Sequence, residues 1–169
     1  VVSIGDLAQR VPTLAALGLL AIAALHDVGF RTLPNAVCAA LLGCGIALHL
    51  AAGDLGLAML AALTVFTLLL LPWWGRALGG GDVKLLGAAA LAVPLPAIPT
   101  LLVGTALAGG VLALGFLALR PFVPAAPGRR PAVLWARILR AEAWRIRRRG
   151  PLPYAVAIAA GGAVSLLGR

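Results

Sequence analysis

Two aspartates stand out in a chain with few acids. Asp27 follows a long apolar run, and Asp82 closes Gly79-Gly80-Gly81-Asp82 ahead of another. Ionisable groups beside membrane-length apolar segments are costly to place, so a converging pair points to chemistry before structure. Two carboxyls brought close cannot both ionise easily; the pair keeps one proton and titrates as a unit. The ionised member then draws a proton from water while the protonated one donates to a scissile carbonyl. Peptide hydrolysis by that route needs neither a metal nor a nucleophilic side chain. No His-Glu-x-x-His run is present, and Ser3 and Ser165 fall at the opposite face, which leaves aspartyl chemistry as the hydrolytic option best supplied. Three glycines in a row argue against a settled helix. They predict an extended segment before Asp82 that pairs with an extended substrate by strand addition. The plainer reading is a helix-start loop, with Asp82 near a favourable N-terminal dipole.

The elements that must position these acids are membrane helices. Hydrophobic residues make up 62% of 169, charged ones 11%, and mean hydropathy is +1.06. A soluble domain of this size cannot hide so much apolar surface, so the expected fold class is all-α, a polytopic membrane protein. About six transmembrane helices are predicted in one domain over 1–169: roughly 11–26, 34–52, 55–72, 83–97, 98–119 and 152–168. The fourth is the weakest, because Pro94, Pro96 and Pro99 stop it. Trp73 and Trp74 suit an interfacial belt, and the first run lacks the basic start and cleavage site of a secretory signal.

Charge sets the orientation. The net charge of +9 suggests nucleic acid until its placement is considered: nine of the fourteen Lys and Arg lie in the basic segment 120–150. With alternating crossings, that segment shares a face with Arg31, Arg76 and Lys84, and only Arg10 and Arg169 lie opposite. Positive-inside bias makes the basic face cytoplasmic and puts both termini outside. Asp27 and Asp82 fall on the cytoplasmic face, whereas Asp54 falls opposite and reads as a turn residue. No aromatic-interleaved basic platform exists, so no nucleic-acid partner is expected. From Ala132 to Arg149, Leu134, Trp135, Ile138, Leu139, Glu142 and Ile146 recur at helical spacing opposite arginines. This describes a basic amphipathic helix in the interface plane before the last crossing, contacting anionic lipid. Pro121 to Gly128 reads as an irregular linker.

Other candidates carry less. Cys38 and Cys44 read as small core residues, with no spacing for a metal site. His26 precedes Asp27 but points about 100° away on a helix, so it reads as an interfacial or hydrogen-bonded residue. His49 lies near the opposite face, and Tyr154 either braces the site or joins the aromatic belt.

Three blocks together resemble the type IV prepilin peptidases: Asp27-Val28-Gly29-Phe30-Arg31-Thr32-Leu33-Pro34-Asn35, then Gly79-Gly80-Gly81-Asp82-Val83-Lys84, then Leu152 to Ile158. The resemblance covers nearly the whole chain and is strongest to the short form associated with Flp-type, tight-adherence pilus systems. It implies an intramembrane aspartyl endopeptidase of the GxGD class that removes the leader from Flp-like prepilins at the cytoplasmic face of the bacterial inner membrane. By the resemblance Asp27 and Asp82 are the catalytic pair, and Gly79 and Gly81 are the motif glycines. Lys84 matches a basic residue whose role stays open between stabilising charged Asp82 and marking the membrane boundary. Pro34 and Asn35 match a helix start. No cofactor or metal is implied. The implied partners are a prepilin or pseudopilin substrate and the pilus assembly machinery. Longer members carry an added cytoplasmic region with paired cysteines associated with N-methylation, so cleavage without methylation is expected here. The alternative from another class is a small ion-coupled transporter using the same carboxylates; no internal repeat supports it.

Overall fold

Apolar runs that enter lipid must satisfy their backbone groups internally, and here each folds as a helix. The computed structural model describes residues 4–123, 133–148 and 151–168. In chain order the helices are α1 (Ile4–Phe30), α2 (Asn35–Ala52), α3 (Leu55–Trp74), α4 (Gly80–Ala92), α5 (Ile98–Leu119), α6 (Leu134–Arg148) and α7 (Tyr154–Leu167). The all-α class holds, and all six expected apolar segments are helical. α1 begins at Ile4, not near residue 11, and α3 runs through Trp73 and Trp74. The expected linker beyond Val123 lies outside the described residues, as do Ser3 and Arg169.

Length divides these helices into two kinds. α1, α2, α3 and the stretch Leu95–Phe122 are long and apolar enough to cross a membrane. α4 has 13 residues and α7 has 14. At about 1.5 Å per residue each reaches about 20 Å, short of the roughly 30 Å hydrocarbon core. Prolines explain the shortness: Pro94 and Pro96 turn the chain after α4, and Pro151 and Pro153 precede α7.

A short helix that is apolar all round belongs inside. From Leu85 to Val93 every residue of the α4 stretch is buried, wrapped by α2, α3 and α7. α7 packs on α5 and α1 as well as on α4. Glycines on both sides make the α5–α7 seam: a Cβ on Gly161 would lie 2.6 Å from the Thr105 nitrogen and 2.7 Å from the Leu101 carbonyl oxygen, and one on Gly109 would lie 2.8 Å from the Tyr154 ring. Small residues let membrane helices meet at backbone distance, where packing replaces the missing hydrophobic drive. The long helices turn apolar side chains outward instead, as Leu107, Val111 and Leu114 do along α5. The inner pair α4 and α7 therefore forms a fixed core, and their N-termini open toward the same end as Asp27.

Candidate active site

Asp27 occupies the last turn of α1 and is buried, with 7% of its surface exposed. It faces the beginning of α7. Pro153 caps that helix, so the following N–H groups have no partner within α7. The Ala155 N–H donates to Asp27 Oδ2 at 3.2 Å. A carboxylate there also lies at the positive end of the helix dipole. Thus a residue of the first helix is held by the start of the last.

Asp82 is placed by its own helix. It sits in the first turn of α4 after the N-cap Gly79, whose N–H favours its charged form. Its place three residues after the N-cap is the one the acid of a capping box takes. Gly79 is required by contact: a Cβ there would come within 2.9 Å of Asp82 Oδ2 and push the carboxyl aside. A Cβ on Gly81 would press on Leu33 at 3.2 Å, in the connection between α1 and α2. Here the expectation of an extended glycine segment fails. Only Gly79 is extended; Gly80 and Gly81 are already helical, with an acid at the favourable N-terminal end of the dipole and Leu33 packed against Gly81. The helix-start reading describes the segment better than strand addition.

The two acids open into one cavity of about 460 Å³, which Gly79, Gly80, Gly81, Lys84, Arg31 and Leu152 also line. Asp82 is half-buried, ahead of the continuously buried stretch that starts at Leu85. Burial, and then the negative charge of Asp27, push the Asp82 carboxyl up to about 6, against the Gly79 N–H and Arg31, which pull it down. Two acids facing one cavity with room for water and a segment of chain can polarise a water and protonate a carbonyl.

Around the pair runs a polar collar. Arg31 closes α1 with a left-handed backbone (φ 56°), its N–H bonded to the Asp27 carbonyl at 2.9 Å. Such a conformation costs a non-glycine residue about 1–2 kcal/mol. The Arg31 side chain compensates through Nη2, which donates to both oxygens of Glu142 on α6 at 2.9 and 2.7 Å. Arg145 also pairs with Glu142 and reaches the Val28 carbonyl at 3.4 Å. α6 is therefore tied across the end of α1. Its Leu139 and Trp144 stay exposed.

Lys84 is exposed and donates to Asn35 Oδ1 at 3.4 Å. His26 is hydrogen-bonded, through Nδ1 to the Thr32 carbonyl at 2.6 Å, and does not line the cavity. The Tyr154 ring packs on Gly109 of α5 and on the core, outside the cavity lining but within electrostatic reach of Asp82. Cys38 is buried, as expected of a core residue, yet it lines the cavity too. Sequence reasoning missed two contributors. The Ala155 N–H was signalled only by Pro153, which frees the donors after it. The Arg31–Glu142 pair had no local signal at all.

A model of the type IV leader peptidase family matches residues 14–114, more than half of the chain and both aspartates. No curated protein and no solved structure matches it.

Proposed function

The chain belongs to the type IV leader peptidase family, and from that premise we propose that it is an aspartic endopeptidase whose catalytic pair is Asp27 and Asp82. Its substrate is a type IV prepilin or pseudopilin of the Flp kind. The leader is cut at the cytoplasmic face of the inner membrane, where anionic lipid meets α6 and the pilus machinery receives the product. The observation that carries this reading is the shared cavity: acids 55 positions apart in sequence open into the same space.

The proposed reaction uses one proton held by the pair. Asp82, whose carboxyl is pushed up to about 6, carries it; Asp27 acts as base. Asp27 takes a proton from water as the water oxygen bonds to the scissile carbonyl carbon, and Asp82 gives its proton to the carbonyl oxygen. The tetrahedral diol then collapses. Its nitrogen takes the proton from Asp27, a hydroxyl proton returns to Asp82, and the C–N bond breaks to an acid and an amine. The Ala155 N–H fixes Asp27 throughout, and the missing side chain of Gly79 leaves Asp82 its place. Such positioning is worth orders of magnitude because about 1 Å of misplacement costs roughly 100-fold. Cleavage without N-methylation is part of the proposal: Cys38 and Cys44 are free and share one helix, apart from any paired set.

Co-expression with prepilins of the same genome, with leader removal read by mass, tests the assignment. Asp27→Asn and Asp82→Asn should insert normally and leave the leader attached. Processing at the parental rate by either variant would overturn the dyad.

A further inference from the structure

A second hollow opens beside the candidate active site. α2 and α3 scarcely touch each other; both lean on α4. Between them lies a groove of about 450 Å³, walled by Ala39 and Leu42 of α2 and by Met59 and Phe66 of α3, with Gly87 and Leu91 of α4 as its floor. Its lining is almost wholly apolar. Leu42, Met59 and Leu63 along it are 40%, 53% and 61% exposed, so its open side faces the same medium as the outer leucines.

Three residues line both hollows: Asn35, Cys38 and Lys84. The groove therefore begins where the aspartate cavity ends. From Lys84 to Leu91 it descends seven residues of α4, about 10 Å or two helical turns. Phe66 of α3 packs onto Gly87, at 2.9 Å from where a Cβ would stand, and the small residues left along the groove are Ala88 of the floor and Ala39 and Ala62 of the walls. Small residues on membrane helices admit another helix at close range. At the junction, the Lys84–Asn35 contact at 3.4 Å is loose enough to part around a passing backbone.

We propose that this groove holds the apolar helix of the protein substrate, the two turns that directly follow the scissile bond. The inference rests on the peptidase reading above and specifies how that site chooses its substrate. A bond cut in the cavity must be followed by chain that leaves it. An apolar continuation leaves through the apolar opening that shares its walls with the cavity. An occupant that is an amphipathic or polar peptide would bring unpaired polar groups against Leu42, Phe66 and Leu91. Selection then works by burial: an apolar segment in the groove is recognised by shape and hydrophobicity, and the acids read the backbone at its end.

Two experiments on the full chain test this. First, a benzophenone side chain replaces Met59, in an Asp27→Asn background that binds without cutting, with replacement at Val111 on the outer face of α5 as control. Adducts to co-expressed substrate at 59 and none at 111 support the groove. Adducts to lipid alone at 59, or equal substrate adducts at both positions, overturn it. Second, Ala39→Trp fills the groove, and two substrates are compared: one intact, one truncated just after the scissile bond. The ratio of kcat/KM for intact over truncated substrate should fall about tenfold or more, mainly through KM. An unchanged ratio refutes the groove while leaving the dyad standing. If the unsubstituted protein cuts neither substrate, it is the peptidase reading that fails.

Discussion

The two ends of this bundle both carry aspartate at a helix turn, and they use it differently. At the far end, Asp54 Oδ1 meets His49 Nδ1 at 2.7 Å, and His49 Nε2 reaches the Val93 carbonyl at 3.2 Å. The backbone closes there too, with Gly53 in the left-handed region (φ 77°) and the Asp54 N–H on the His49 carbonyl at 3.1 Å. Polar groups are paired with neighbours, and α2, α3 and α4 are laced together. At the near end the acids share a cavity, and Arg31 lines it with them without bonding either carboxyl. Asp27 is held by the Ala155 N–H, and Arg31 spends only Nη2 on Glu142 while its Nε and Nη1 stay buried without a hydrogen-bond partner among the described residues. A satisfied acid holds structure, and an acid left facing a cavity keeps its capacity for proton transfer.

The contrast can be broken by mutation. The largest effect belongs to the near end: Asp27→Asn or Asp82→Asn should lower leader cleavage by about 1,000-fold or more, within the range of lost acid–base catalysis, with helicity by circular dichroism unchanged. Next, Gly79→Ala should cost about 100-fold in kcat by displacing the Asp82 carboxyl. Gly110→Ala, at a site with open space, should leave kcat as it is.

The far end should behave oppositely. His49→Ala strands the Val93 carbonyl and the Asp54 carboxylate, and should destabilise the protein by about 2 kcal/mol in thermal melts in detergent. Cleavage per folded molecule should not change; a loss of kcat there would erase the distinction between the ends. Glu142→Gln releases Arg31 toward the acids. A change in kcat or its pH profile of a few-fold, at a stability cost of about 1 kcal/mol, would show that α6 tunes the cavity.

The mildest test is pH. Because the Asp82 carboxyl is raised from 3.8 to about 6, the folded protein holds that proton more tightly than the unfolded chain. Its contribution to stability is full below about pH 4 and is lost as pH rises through about 6. Melting temperature should therefore drift downward across that window in the parent and flatten in Asp82→Asn. The descending limb of kcat should follow the same group, as the pair loses its shared proton.

How much of this was legible follows from sequence distance. The helices were readable because apolar runs and prolines are local: Pro94 ends α4 in the chain as in the fold. Asp82 and Gly79 lie three residues apart, and the motif announced them together. Their geometry was misread because glycine frequency alone suggests extended chain, whereas a carboxylate at N3 and Leu33 packed on Gly81 favour helix. The His49–Asp54 bond is also local, yet it passed as an ordinary turn, since only Gly53 turning the chain brings the two side chains together.

The amino-acid sequence by itself determined that this chain is a bundle of lipid-facing helices with two acids at one end, because hydropathy, charge placement and proline are properties of short windows. The tertiary structure alone decided what surrounds those acids. It set the α7 N-terminus against Asp27 across 128 residues and Glu142 against Arg31 across 111, and it splayed α2 from α3 over α4. Contacts of that span are selected by packing of whole helices, through small residues such as Gly161 that let backbones meet, and no local pattern encodes them.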